Sequence, residues 1–262
     1  MRPSYRDEAF VVRTHDLGEA DQIIVLLTRH HGIVRGVAKG VRRTRSRFGA
    51  RLDRFCLVDV LIYPGRNRAK IDGGLATLSD AATVHTRAPG IVADVDRFYA
   101  ATAMLEIAEL AVRGDGADAS RIVDLLDDAF AAVGNSASDA VPAVPALPPR
   151  TQADRFVLTV LTLAGWAPSL VNCAQCGATG PHRAFHPEAG GAVCVRCRPP
   201  GAREPDPAAV RVLWWLAHGR DAQVAELAAS PGGDRVLGTA HDLLLAHTRY
   251  QTESGCRAYA AL

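Results

Sequence analysis

Four of the six cysteines fall into two pairs with the spacing Cys173-x2-Cys176-x17-Cys194-x2-Cys197. Two residues between cysteines place both sulfurs on one side of a tight knuckle. Two such knuckles complete a tetrahedral shell of four thiolates, with zinc–sulfur distances of about 2.3 Å. Gly177 follows the first pair, and Gly190 and Gly191 precede the second. These glycines let the backbone turn its N–H groups toward the sulfurs. The spacing predicts one structural zinc ion. An iron–sulfur cluster, a redox dithiol and a relic site without metal are the competing readings. Catalytic zinc is not expected, because four thiolates leave no position for water. His182 and His186 lie between the pairs and read as surface histidines rather than replacement ligands. Cys56 and Cys256 are isolated and read as small apolar fillers or bystanders.

A second group of residues points to phosphate. Between residues 35 and 54 the chain carries Arg35, Lys39, Arg42, Arg43, Arg45, Arg47, Arg51 and Arg54, with Asp53 as the only acid. Such a cluster raises the local positive potential and suits phosphate binding with release of counterions. Gly36, Gly40 and Gly49 interrupt the stretch, so it is expected to be a loop between strands. Arginine adds forked contacts to phosphate and stacking on bases, but no base-specific code. Phe48 is the one aromatic residue within the cluster and a candidate for stacking on a base.

Other chemistry is missing from the sequence. There is no phosphate-binding Gly-x4-Gly-Lys-Ser/Thr loop, no Gly-x-Ser-x-Gly elbow and no His-Glu-x-x-His pair. His30 and His31 read as residues flanking a turn. Asp127 and Asp128 read as a solvated pair on the polar side of a helix. No catalytic residue is nominated, and the chain is not expected to be an enzyme. The first ten residues lack the apolar stretch of a signal peptide, and no run of about eighteen apolar residues occurs. The expectation is a cytosolic protein with no membrane span.

The elements that must position these groups divide by period. Residues 1–80 carry 15 Lys or Arg against 9 Asp or Glu, while the remaining residues are mildly acidic. The basic part reads as β. Ala9–Thr14, Gln22–Thr28, Ile33–Ala38, Phe55–Tyr63 and Lys70–Leu78 are expected strands, with a turn-like segment His15–Asp21. In the fourth, Cys56, Val58, Val60 and Ile62 share one face. Five short strands with tight connections suit a small barrel such as an OB-fold, with an SH3-like barrel or another small antiparallel sheet as the alternative. From about residue 91 the period is helical. Phe98, Ala101, Leu105, Ala108 and Val112 form one stripe, and Ile122, Leu125, Leu126, Ala129 and Val133 another. Gly134–Arg150 has no period and contains four prolines, so it reads as a flexible loop. Thr151 and Asp154 resemble a capping box for a helix that Gly165 stops. Asp206-Pro207 marks the start of a further helix, and a last one is expected at Asp234–Arg249. The expected fold is therefore α+β and multi-domain. An OB-fold β-barrel over residues 1–80 is followed by an α-helical domain over 81–262, into which the four-cysteine segment 173–197 is inserted.

Several short motifs in this order resemble a known family. They are Gly18-Glu19-Ala20-Asp21 after the first strand, Thr28–Gly32 (TRHHG), and Ala38-Lys39-Gly40 followed by the arginines and Ser46-Arg47-Phe48. Leu163–Pro168 (LAGWAP) before Cys173 and the paired cysteines complete the set. Together they resemble RecO, the bacterial DNA-repair and recombination-mediator family. The resemblance implies an OB-fold, a helical domain with a zinc site, and a cytoplasmic, nucleoid-associated protein. It implies binding of single- and double-stranded DNA, annealing of complementary strands, and action in the RecF pathway. It also implies contact with the C-terminal tail of single-strand-binding protein and with RecR, to help load the recombinase RecA. Some members of that family lack the four cysteines, and Gly134–Arg150 looks like an insertion relative to it. The rival readings are an interaction adaptor built on the zinc segment and helices, an RNA-binding barrel protein that distinguishes RNA by its 2′-hydroxyl, and a zinc hydrolase, which the closed ligand set disfavours.

Overall fold

The computed structural model describes residues 3–262 apart from 45, 47, 66–73, 114–117 and 135–146. Most of the proline-rich 134–150 segment therefore lies outside the described residues. The chain forms two compact units. One comprises Met1–Val95 with Ala108–Gly134, the other Asp96–Ile107 with Asn135–Leu262.

In the first unit the strands β1 (Tyr5–Leu17), β2 (Asp21–Thr28), β3 (Gly32–Ala38), β4 (Cys56–Tyr63) and β5 (Ala76–Thr86) close into a barrel of order β1-β2-β3-β5-β4. Every ladder is antiparallel except β3 with β5, which run parallel. This is the OB arrangement. Alternation along the strands explains it. Ala9 and Val11, Ile24 and Leu26, Val58, Val60 and Ile62, and Leu78 all point inward to one buried cluster. Closing so small a barrel needs irregularities, and the ladder slips once in β1 between Val11 and Arg13 and twice between β4 and β5. Gly36 permits the parallel crossing: a Cβ there would lie 2.5 Å from Leu78 Cδ2.

Two strand assignments change. β1 continues through His15 and Asp16 to Leu17, paired with β2, so the turn is confined to Gly18–Ala20. The fifth strand runs Ala76–Thr86, later than the expected Lys70–Leu78. Its inward alternation begins at Ala76 and passes through Leu78 to Ala81; residues 70–73 lie outside the described set. The outer faces of β1 and β2 are also buried, because α3 (Ala119–Gly134) covers them within this unit. Phe130 meets Phe10 and Phe55 edge-on, with centroids 5.4 and 5.3 Å apart. Asp127 on that helix is not a solvated acid. It accepts from His85 Nε2 at 2.7 Å and Arg87 Nε at 3.1 Å, and so ties the helix to the end of β5. The short helix α1 (Ala88–Val92) also belongs to this unit, and α2 (Val95–Arg113) contributes residues to both.

The second unit is helical: α4 (Pro149–Leu163), α5 (Pro207–Ala217), α6 (Asp221–Ala228) and α7 (Gly233–Thr252), with the ribbon β6 (Ala184–His186) and β7 (Gly191–Val193) between α4 and α5. The LAGWAP segment is the end of α4. Gly165 has φ of 75°, and Trp166 N–H donates to Leu161 O at 2.7 Å, the closure of a Schellman cap. Asp206 caps α5, accepting from Ala208 N–H at 2.9 Å. The capping box expected at Thr151 and Asp154 is absent, because α4 already starts at Pro149 and both residues are buried inside it. Asp154 instead accepts from Tyr259 OH at 2.5 Å and from His241 Nδ1 at 2.8 Å. Glu106 Oε2 accepts the N–H groups of Ala258 and Tyr259. These bonds fasten the C-terminal turn.

Candidate metal centre and nucleic-acid interface

The sulfurs of Cys173, Cys176, Cys194 and Cys197 all lie within 4.8 Å of one another, and none is in a disulfide. Cys176 Sγ and Cys194 Sγ are 3.8 Å apart. A tetrahedron whose centre lies about 2.3 Å from each corner has edges of about 3.8 Å, so the donors suit a tetrahedral thiophilic cation. The backbone is folded for this. Gly177, Gly190 and Gly191 all have positive φ, at 70°, 91° and 126°. At Gly191 a Cβ would fall 2.3 Å from Ser169 O, so the approach of the ribbon to residue 169 requires glycine. Gly177 N–H donates to Cys173 O, and Cys197 N–H to Cys194 O, closing each knuckle.

Donors converge on the sulfurs. The Cys194 N–H points at Cys173 Sγ from 3.4 Å. That contact, with the N–H groups of Cys176 and Gln175, holds the Cys173 thiol down to about 6. Hydrogen bonds with Cys176 and Cys194 push Cys197 up to about 12. Four crowded thiols cannot all ionise without a cation among them, and a divalent ion removes that obstacle. His182 donates to Ala178 O at 2.9 Å and His186 accepts from Ala189 N–H, so both serve the loop backbone. Cys56 and Cys256 are buried elsewhere.

The basic cluster is built on the end of the barrel. Its entry is stitched to the turn between β1 and β2: Gly40 N–H donates to Asp21 Oδ1 at 2.7 Å, and Arg42 N–H to Ala20 O at 3.0 Å. The Gly-Glu-Ala-Asp motif is therefore the anchor of the basic loop. Its exit is held by Phe48 and Leu52, which are buried in the barrel core. Burying Phe48 contributes about 2 kcal/mol to this attachment. It also overturns the stacking role expected for Phe48, since a fully buried ring offers no face to a base.

Lys39, Arg43 and Arg54 are exposed, with no acidic partner among the described residues. Arg42 is also exposed, but its guanidinium lies 3.1 Å from Asp16. Arg51 sits in the turn Gly49–Leu52 with Nη1 3.4 Å from Ala81 O. Arg35 is on β3 rather than in the loop, because Val34 and its neighbours continue the ladder to β2. Arg45 and Arg47 lie outside the described residues.

Sequence reasoning also missed the partner of His30 and His31. Asp7, only 4% exposed, accepts from His31 Nδ1 at 2.6 Å, from His30 Nδ1 at 3.0 Å and from His30 N–H at 3.1 Å. Burial alone would raise this carboxyl, but the hydrogen bonds from His31 and His30 outweigh it and hold Asp7 below its ordinary value. Thr28 Oγ1 donates to Gly32 O and accepts from His31 N–H, and Gly32 has φ of 63°. The Thr28–Gly32 motif thus forms the turn between β2 and β3 and aims both imidazoles at one carboxylate. The two histidines mark the place in the sequence; their partner, more than twenty residues earlier, has no local signature.

No helix among the described residues is long and apolar enough to cross a membrane. Comparison with protein families matches residues 1–87 to the N-terminal domain of recombination protein O and residues 92–257 to its C-terminal domain. With the barrel, the helices and the four-thiol cluster following in that order, the chain belongs to the recombination protein O family of DNA repair and recombination.

Proposed function

We propose that this protein is a recombination mediator. It binds single- and double-stranded DNA, anneals complementary strands, and helps load the recombinase RecA onto DNA coated with single-strand-binding protein, acting with RecR in the cytoplasm. The observation that carries this reading is the exposed arginine-rich loop, pinned at both ends to an OB barrel in a chain of this family. The work is physical rather than chemical. Two strands repel through dense negative charge, and a protein that neutralises phosphates on both lowers the barrier to their meeting. Lys39, Arg42, Arg43, Arg51 and Arg54, with Arg45 and Arg47, supply the charge, and Arg35 adds to it from the adjacent strand. Arg42 must give up Asp16 to contribute. Zinc, one ion per chain, is the metal assigned to the four thiols, where it fastens the segment between α4 and α5.

Strand annealing of complementary oligonucleotides at two salt concentrations, alongside metal analysis, tests the reading. Salt-sensitive acceleration with about one zinc per chain, as a closed four-thiolate site requires, supports it. No acceleration by the metal-loaded protein refutes it and favours a protein-binding adaptor.

A further inference from the structure

A cavity of about 500 Å3 opens on the barrel beside β3, with Tyr5, His31, Val34, Arg35 and Pro64 among its walls. Its volume is that of a site for a small ligand. Tyr5 and His31 stack with centroids 3.9 Å apart and an interplanar angle of 24°, so two aromatic rings line one cavity as a pair. The pair is fixed before any ligand arrives. Asp7 holds the His31 ring through Nδ1, Thr28 holds its backbone N–H, and Tyr5 packs on the barrel core. Arg35 brings a guanidinium to the same walls.

We propose that this cavity takes one unpaired nucleotide of a single strand, its base against the Tyr5–His31 pair and its phosphate on Arg35. The inference rests on the DNA-binding reading above and adds a site the basic loop does not provide. The chemistry discriminates. A planar aromatic surface with a cation beside it suits a base and its phosphate, since every base has a π face. A duplex cannot use the cavity, because its bases are already stacked on both sides. The loop's arginines act on the backbone of either form, whereas the cavity acts on single strands alone.

The test uses the full chain, a short oligothymidine carrying a central 2-aminopurine, and a duplex of equal length. On the wild type, the fluorescence of the base analogue is quenched as it stacks. His31→Ala abolishes the quench and weakens single-strand binding about ten-fold, the order expected for one stacked base, while duplex affinity stays unchanged and reports an intact fold. His31→Phe keeps a ring and retains the quench, although it loses the bond to Asp7. Wild-type affinity and quench in His31→Ala overturn the proposal, as does equal loss for strand and duplex. Relief of the quench by free deoxyadenosine monophosphate at micromolar concentration also overturns it, in favour of a mononucleotide site. Absence of any DNA binding by the wild type would instead sink the DNA-binding reading on which this one stands.

Discussion

Replacing Lys39, Arg43 and Arg54 together with alanine removes three exposed cations that have no acidic partner among the described residues. None of the three belongs to the buried barrel cluster, and none supplies a side-chain bond that anchors the loop, so the fold should be unaffected. Each phosphate neutralised releases about 0.7 of a counterion from a single strand and about 0.9 from a duplex. The slope of log affinity against log salt should therefore flatten by about 2 for single strands and about 2.7 for duplex. Between about 50 and 200 mM salt the wild type then loses roughly sixteen-fold more single-strand affinity than the variant. Arg42→Ala is the internal control. Its guanidinium already lies against Asp16, so the slope should change by less than about 0.5. Fluorescence anisotropy with labelled oligonucleotides over a salt series measures all of these slopes. An unchanged slope in the triple variant refutes the assignment of the loop, and an Arg42→Ala effect as large as one third of the triple refutes the argument from pairing.

Three further perturbations follow from the structure. Cys176→Ser, or prolonged chelation, should lower bound metal well below one ion per chain, the number expected for a closed site, and open the segment between α4 and α5 to protease; unchanged metal content and digestion would contradict the four-thiol centre. Asp7 titrates below its ordinary 3.8, so its stabilisation is complete above that value and is lost as pH falls through the lowered one. The melting temperature of the wild type should therefore fall more steeply below about pH 4 than that of Asp7→Asn, and parallel curves would exclude the histidine-held carboxylate as an acid-labile element. Tyr259→Phe removes the hydroxyl that donates to Asp154 inside the helical unit and should cost about 2 kcal/mol in urea unfolding, with no change in zinc content; a cost near zero would show that His241 alone satisfies Asp154.

Legibility in the sequence followed the distance between partners. The four cysteines and their glycines lie within 25 residues, from Cys173 to Cys197, and their spacing alone located the cluster. The inward face of β4 was visible as alternation, because a two-residue period has one reading when one side is buried, whereas β1 and β2 were visible only as apolar runs, both of their faces being covered. Where composition and burial conflict, local reading failed. Phe48 stands among arginines yet plugs the barrel, while Arg35 lies on the third strand, as the apolar run Ile33–Ala38 implied, and not in the loop that the basic cluster suggested. Asp7 with His30 and His31, and Asp154 with His241 and Tyr259, are pairings across the chain. Nothing near Asp154 distinguishes a capping acid from an anchor for a chain end about a hundred residues later. In both cases the residue types were noticed and their partners were not.

The strand order also bears on how the basic loop can evolve. β3 and β4 are consecutive in the chain but not neighbours in the barrel, since β3 pairs with β2 and β5, and β4 with β1 and β5. The connection between them sets no hairpin register, unlike the turn at His30 and His31. Arg43 and Thr44, just beyond the mooring at Gly40–Arg42, belong to no rung of the ladder, so their side chains can be exchanged without altering its register. The barrel can thus keep its own sequence constraints while the charge beside it is retuned, which makes Arg43 and Thr44 natural places to graft a different binding specificity onto this scaffold.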